Sequence, residues 1–250
     1  MLLKNGLIYD NKDGDLKKGD LRIKGEKIKE IAKTLNKKEN EKVIDVSNKY
    51  VLPGIIDSHV HFQLESRGTV SDDDFYQGSI SAAYGGVTTF IDYADMNKNS
   101  LIAGIEDRIK KAEDKTILDY NLHLVINNDF KINKHLAEIE KLPDKGISSL
   151  KLFTTYRNIY MLAEEKMEKI FAKAAELDLV ITVHSEDNKI IEDKQKKFKE
   201  KNNKGYKYHP DIRPAEVEKE AIKKLSKYAK KSGAKLYIVH LSSQKGYEET

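Results

Sequence analysis

The 250-residue sequence contains no cysteine, and arginine accounts for only five of its 45 basic residues. The absence of cysteine excludes a disulfide framework, a thiol nucleophile and a thiolate metal site, so a metal would need histidine and carboxylate ligands. The scarcity of arginine matters because arginine is the usual partner of phosphates and base edges. The densest basic run, 194–207, is interleaved with acidic residues. It is typical of a solvated helix and loop, and we expect no nucleic-acid partner.

Long apolar runs and a secretory leader are also missing. The longest apolar stretches are a few residues, far short of the ~20 needed to span a bilayer. The N-terminus, MLLKNGLIYD, has neither a long hydrophobic region nor a small-residue cleavage site. We therefore expect a cytoplasmic protein without a membrane partner.

The sequence changes its pattern near residue 50. Residues 1–50 hold short alternating runs separated by Asn-Gly, Asp-Gly and Lys-Gly pairs, which predicts a small antiparallel β unit. After this point, apolar runs alternate with longer amphipathic segments, which predicts parallel strands joined by helices. The predicted strands lie near 51–57, 87–93, 117–127, 147–153, 179–184 and 235–240. We therefore divide the chain into domains 1–50 and 51–250.

Three segments carry apolar residues at helical spacing, and they separate the later strands. These segments are 101–112, opened by Ser100 as a cap, 162–177, and 217–228, entered through Pro214. Both an open doubly wound sheet and a (β/α)₈ barrel fit this alternation. A dinucleotide-binding sheet has G-x-G-x-x-G after its first strand, and this chain has no such motif. That favours an α/β barrel of the TIM type, although six strands do not close one.

Four histidines lie at the carboxyl ends of three predicted strands. His59 and His61 follow the first strand, and because residues i and i+2 of a strand point to one side, their rings should project together. His184 and His240 end the runs LVITVH and AKLYIVHL. A single histidine at such a place is more often a surface residue than a ligand. Four of them at the edge where parallel α/β folds place active sites predict a metal site.

The other three histidines do not fit this pattern. His135 and His209 lie in polar stretches, so we expect both to be solvated. His123 lies within a predicted strand and is expected to be a core residue or to support the site from behind.

Lys151 is the one charged residue of the apolar run ISSLKLF. Burial of an ammonium group costs several kcal/mol unless it is neutralised or paired. The side chain can snorkel or form a salt bridge. It can also form a Schiff base, act as a general base of lowered pKa, or be covalently modified. A carbamate formed with CO₂ offers two oxygens that can bridge two metal ions, whereas an ammonium group cannot ligate a cation.

Six segments of the chain form a recognisable series: PGIIDSHVH, SDDDFYQGSISAAYGGVTTFIDY, SSLKLFTTY, TVHSEDN, IRPAEVEKEAI and VHLSS. In this order they resemble the dihydropyrimidinase/hydantoinase branch of the amidohydrolase superfamily. The resemblance implies a (β/α)₈ barrel beside a small β-sandwich domain, to which residues 1–50 contribute the N-terminal part. It also implies two divalent metal ions, usually zinc in this family.

The same resemblance implies the role of each candidate residue. His59 and His61 would bind the more buried metal ion, and His184 and His240 the second. Lys151 would be carboxylated to N6-carboxylysine and bridge the two ions. A sixth residue, Tyr156, matches the tyrosine that hydrogen-bonds the carbonyl oxygen of the substrate.

Cyclic-amide hydrolysis is the activity that the resemblance implies. The substrate would be a dihydropyrimidine or a hydantoin, the product an N-carbamoyl amino acid, and the assembly a homotetramer. The family supplies a further aspartate from the last barrel strand, as metal ligand and proton shuttle. Because the sequence stops at Thr250, we expect the barrel to be incomplete after about six strands and the chain to be the N-terminal part of a longer protein.

Two alternatives to this function stay open. One is another cyclic amidohydrolase, such as allantoinase or dihydroorotase. Dihydroorotases follow the His-x-His pair with x-Arg to hold a substrate carboxylate, whereas this chain has Gln63 there and its next arginine is Arg67. The other is a non-catalytic dihydropyrimidinase-like scaffold. Such scaffolds have lost metal ligands, but all five that this segment can supply are present.

Overall fold

The computed structural model describes residues 1–10, 13–66, 68–97, 100–202 and 205–250. Arg67 therefore lies outside the described residues, as do residues 203 and 204 of the basic run. The chain divides into two compact units, Met1–Ile55 and Ile56–Thr250. Among the described residues, no helix combines the length and the apolar character that a membrane crossing requires.

The N-terminal strands form one mixed sheet. They are β1 (Leu2–Asp10), β2 (Asp15–Lys24), β3 (Lys27–Ala32), β4 (Val43–Asp45) and β5 (Tyr50–Val51). The sequence predicted an antiparallel unit, which is right for β1, β2 and β3. It is wrong for β4 and β5, because both pair with β1 in parallel. A long connection after β3 returns the chain to the end where β1 begins, as parallel pairing requires.

The Asn5-Gly6 pair does not form the turn that its sequence suggested. It lies inside β1, where the register with β2 shifts between Leu3 and Gly6. Asn5 adopts a left-handed φ of 66°, which asparagine tolerates better than most residues. The pair therefore forms a bulge. A true turn follows Lys24, where Gly25 has φ 61° between β2 and β3.

Six strands build the main sheet of the rest of the chain. They are β6 (Ile55–Asp57), β9 (Val87–Asp95), β10 (Asp119–Val125), β11 (Ser149–Phe153), β12 (Val180–His184) and β13 (Lys235–Ile238). A small hairpin of β7 (Glu65–Ser66) and β8 (Thr69–Val70) follows β6. The main sheet has the order β13-β12-β11-β10-β9-β6 and forms a curled half-barrel of parallel strands. The predicted fold class is confirmed, because each strand lies beside the next along the chain.

Within the described ranges, eight α-helices connect or follow these strands. They are α1 (Phe75–Tyr84), α2 (Leu101–Ala112), α3 (Ile132–Ile139), α4 (Glu164–Glu176), α5 (Asn188–Glu200), α6 (His209–Ile212), α7 (Ala215–Ser232) and α8 (Gln244–Tyr247). The Ser100 hydroxyl caps α2 by accepting a bond from the Ala103 amide at 3.2 Å. Pro214 stands at the N-cap of α7, as expected. The main core packs these helices against the sheet through residues such as Leu150, Phe171 and Leu225.

The sequence prediction for His135 is wrong. Its side chain is fully buried on α3, and its Nδ1 accepts a hydrogen bond from the Lys131 amide at 2.8 Å. The ring also lies 5.3 Å from that of Phe130. The His135 ring accepts from a backbone amide at the start of α3, where the amides have no partner within the helix. The polar sequence around His135 gives no indication of this local hydrogen bond. His209 is exposed, as predicted.

Candidate active site

The four predicted histidines form one continuous row at the carboxyl end of the sheet. Ring centroids lie 5.1 Å apart for His61 and His59, 5.5 Å for His59 and His240, and 4.8 Å for His240 and His184. His184 is the last residue of β12. The strand-end prediction is wrong for His240, which lies two residues beyond β13 with φ 39°.

His59 and His61 converge although neither belongs to a strand. Strand β6 ends at Asp57, so the i, i+2 rule that predicted their shared direction does not apply. The two Nε2 atoms nevertheless approach to 3.2 Å. Irregular backbone holds the segment instead, since the amide of Val60 donates to the carbonyl of Ile91 at 3.2 Å. The two imidazoles therefore aim at one point.

Lys151 lies on β11 beneath this row and is only 2% exposed. Its Nζ stands 5.5 Å from the ring centroid of Tyr93 and 5.1 Å from that of Phe153. In the described part of the chain, no carboxylate forms an ion pair with Lys151. Burial lowers the pKa of this amine to about 7. The alternatives of snorkelling and of a salt bridge are therefore not what the side chain does here.

Three of the histidines are held in the neutral form at neutral pH. Desolvation is the main cause that lowers the pKa values of His59, His61 and His240 to about 4. The positive charge of Lys151 acts in the same direction on all three. A neutral imidazole keeps the lone pair that a metal ligand must offer.

Tyr93 is a neighbour of the site that the sequence did not single out. Its hydroxyl lies 3.0 Å from Nδ1 of His59, and its ring stacks on that of His61 at 4.5 Å. Burial raises the pKa of the Tyr93 hydroxyl, so it stays protonated. If the Tyr93 oxygen accepts the Nδ1 proton of His59, the lone pair on Nε2 is left free. In the sequence, Tyr93 lies at the end of the predicted strand VTTFIDY, and this position could have indicated that it borders the site.

Glu186 is a second residue that sequence reasoning missed. Its Oε2 lies 2.7 Å from Nε2 of His184 and also accepts a bond from Nη1 of Arg213. Burial works to raise the pKa of Glu186, but the bonds from His184 and Arg213 outweigh it and lower this pKa. An ionised carboxylate only accepts, so Nε2 of His184 carries the proton. The sequence could have indicated Glu186, because it is an acidic residue two positions after a histidine that ends a strand.

Tyr156 stands on the loop after β11, beside this second pair of histidines. Its ring centroid is 5.4 Å from that of His184, and the Arg213 guanidinium carbon lies 5.9 Å from the Tyr156 ring centroid. Tyr156 has φ 63°, which is costly for a residue with a bulky side chain. Such strain persists where the surrounding structure enforces it, often at functional loops.

Whether these residues fit a metal ion depends on the lysine. Within the described ranges, no three His, Cys, Asp or Glu side chains are grouped closely enough to hold a metal ion. Two features still fit one. The Nε2 atoms of His59 and His61 face each other, and the buried Lys151 lacks an anionic partner among the described residues. An ammonium group has no lone pair to offer, so these residues fit a cation only if Lys151 is neutral or modified.

Comparisons with known proteins agree with this geometry. A sequence profile of the amidohydrolase family matches residues 50–212. The chain is 35% identical over 250 residues to a D-hydantoinase of Geobacillus stearothermophilus, covering 99% of this chain and 52% of that protein. It is 35% identical over 245 residues to a dihydropyrimidinase of Dictyostelium discoideum, covering 97% and 48%.

A solved structure extends the likeness to the fold. The crystal structure of a dihydropyrimidinase from Brevibacillus agri superposes with a TM-score of 0.92 at 33% identity, covering 99% of this chain and 53% of that one. The chain thus spans about half the length of the curated relatives it matches.

Proposed function

This chain belongs to the amidohydrolase family, and from that premise we propose that it serves the hydrolysis of a cyclic amide. The substrate is a dihydropyrimidine or hydantoin ring, and the product is an N-carbamoyl amino acid. The observation that carries the proposal is the row of four imidazoles above a buried lysine without an anionic partner in the described part of the chain. The names of the relatives, D-hydantoinase and dihydropyrimidinase, support the same ring class.

The proposed site holds two divalent cations, with zinc as the expected metal, in a family that is generally metal-dependent. His59 and His61 would hold one ion, and His184 and His240 would hold the other. When bound, such cations supply Lewis acidity, which makes a water molecule nucleophilic near neutral pH. The lowered pKa values of His59, His61 and His240 support this role, because no proton has to be displaced from these three rings at pH 7.

Lys151 is proposed to be carboxylated and to bridge the two ions. The neutral amine attacks CO₂, a nitrogen–carbon bond forms, and the nitrogen releases a proton to solvent. The product carries a negative charge, which the two bound cations would neutralise. The modification also removes the cost of burying the protonated form of an amine whose pKa is about 7.

Tyr156 is proposed to hydrogen-bond the carbonyl oxygen that gains negative charge during attack. A donor aimed at such an oxygen is worth roughly 3–4 kcal/mol in comparable sites. The position of Tyr156 beside His184 supports this role. The Arg213 guanidinium carbon, 5.9 Å from the Tyr156 ring centroid, places a positive charge beside the same ring.

Substrate turnover by the intact protein tests the proposal. We expect zinc-dependent opening of dihydrouracil or hydantoin, measured as N-carbamoyl amino acid, and its loss after chelation. Dihydroorotate and allantoin serve as the control rings. Dihydroorotate should be a poor substrate, because Gln63 stands where dihydroorotases use arginine. Preferred opening of either control ring would favour the alternative amidohydrolases, and no turnover of any ring would favour the scaffold.

Three further expectations stay predictions: a homotetramer, a cytoplasmic location, and a β-sandwich domain to which residues 1–50 contribute. Sedimentation velocity, cell fractionation and a structure of the intact protein test them in turn.

A further inference from the structure

The segment Ser58–Gln63 carries two candidate ligands without the support of a strand. Its backbone bonds include the Val60 amide to Ile91 and the Gln63 amide to the Asp73 carbonyl at 2.6 Å. Gln63 itself has a left-handed φ of 46°. A segment of this kind needs other contacts to hold two imidazoles in register.

One such contact lies immediately before the histidine pair. Nε2 of His123 is 3.0 Å from the carbonyl oxygen of Ser58, and Nδ1 is 2.5 Å from Oγ of Ser149. Because a carbonyl only accepts, Nε2 carries the proton, and Nδ1 accepts from the serine hydroxyl. His123 is 6% exposed. Its bond fixes the peptide plane that leads into His59.

A second contact lies immediately after the pair. Nη2 of Arg108 donates to the carbonyl of Phe62, and Nη1 reaches that of Gln63 at 3.5 Å. The guanidinium is held from behind by Asp92, which is fully buried and 2.7 Å away. The Arg108 guanidinium and the Asp92 carboxylate are therefore both removed from water, at a place outside the row of imidazoles.

Close packing of the Phe62 side chain holds this second contact in place. Its ring packs on those of Phe75 and Phe90, at centroid distances of 5.9 and 4.9 Å. A Cβ atom at Gly78 would lie 2.4 Å from the same ring, so only glycine allows α1 to approach this closely. Phe62 is thus held at its carbonyl by Arg108 and at its ring by the aromatic packing.

We propose that His123 and Arg108 are positioning residues that hold the carbonyls of Ser58 and Phe62 and thereby set the separation of the His59 and His61 rings. The inference rests on the proposed function in so far as that separation serves a metal ion. The planar peptide group transmits the constraint, because fixing a carbonyl fixes the neighbouring amide as well. Asp92 acts through Arg108, whose guanidinium it holds in place, and so belongs to the same group of positioning residues.

Amide hydrogen exchange of the intact, metal-free protein tests the positioning role independently of any metal. The variants are His123→Phe and Arg108→Met. A third, Arg108→Met with Asp92→Asn, removes the unpaired buried carboxylate should the single variant fail to fold. The matched control is Ile139→Ala, a buried substitution on α3 away from this segment. We expect exchange in peptides covering 58–63 to accelerate at least tenfold beyond the change in global stability, and only in the first three variants.

Zinc titration of the same proteins supplies the second arm. Loss of a residue that orients a metal ligand typically costs about 10–100-fold in affinity. We expect a loss of that size at one of two zinc sites, with the other unchanged. Arg108→Lys should recover part of it, since it keeps the charge beside Asp92 but loses the fork.

The outcomes separate the two proposals. If the unaltered protein binds no zinc, the proposed function fails, and exchange alone decides whether the positioning role exists. If zinc binds but both sites keep their affinity in the His123 and Arg108 variants, the positioning role is overturned. Exchange equal to that of the Ile139→Ala control also overturns it.

Discussion

Nε2 of His184 donates a hydrogen bond to the ionised carboxylate of Glu186 at 2.7 Å, which leaves Nδ1 of His184 as its free nitrogen. We therefore expect Glu186→Ala to release the ring and to lower the affinity of the second zinc site by about 10–100-fold. Glu192→Gln is the control, because it breaks an exposed ion pair with Arg157. Zinc titration measures the affinity, and nitrogen NMR of the metal-free protein reports the tautomer. A ring protonated on Nδ1 would contradict this assignment.

Lys151→Ala should lose zinc and activity together, because it removes the proposed bridge. Short carboxylic acids should restore part of both by supplying oxygens in the vacated space. Lys231→Ala, at a lysine whose side chain is 72% exposed, is the control and should change neither. Metal analysis and dihydrouracil turnover are the measurements. Two tightly bound zinc ions in the alanine variant would rule out the bridging role.

Tyr156→Phe should act on the reaction rather than on folding. The change removes one hydroxyl group, so the free energy of unfolding should shift by about 1 kcal/mol or less. The kcat of the intact enzyme should fall by roughly 100-fold or more if the hydroxyl stabilises the developing charge. Tyr206→Phe, at a tyrosine that is 97% exposed, should leave kcat unchanged. An unaltered kcat in Tyr156→Phe would remove the hydroxyl from the mechanism.

Stability of the metal-free protein should carry a pH-dependent contribution from Asp92. Burial raises the pKa of this carboxyl from 3.8 to about 6, although Arg108 opposes the shift. Between these two pH values the folded state binds more protons than the unfolded state, so this contribution falls as pH rises. Urea midpoints of the wild type and Asp92→Asn should diverge progressively from pH 4 to 6. Asp178→Asn, on an exposed loop, should follow the wild type, and parallel curves for all three proteins would refute the effect.

The six main strands could be located because each lies within or overlaps a short apolar run. The helical spacing of 101–112, 162–177 and 217–228 separates the later ones. The clustering of His59, His61, His184 and His240 followed from the same logic, since parallel strands bring their carboxyl ends together. The directions of the individual histidine rings could not be predicted in this way. Three of these histidines lie beyond the strands, where irregular backbone and the residues behind it decide the direction of each ring.

Two residues that the sequence analysis missed act across long separations. Tyr93 meets His59 from β9, and Arg108 meets Phe62 from α2. A single sequence does not show which partner such a residue meets, because polar residues on strands and helices are usually solvated. His135 was missed for the opposite reason, since its bond is local but its burial depends on how α3 packs.

Anomalous diffraction at the zinc edge from crystals of the intact, zinc-loaded protein tests the central claim most directly. The account predicts two peaks, one about 2 Å from nitrogens of His59 and His61 and one equally close to His184 and His240. It also predicts continuous density from Lys151 between them. Zinc peaks elsewhere, or an unmodified Lys151 amine beside an occupied site, would contradict it.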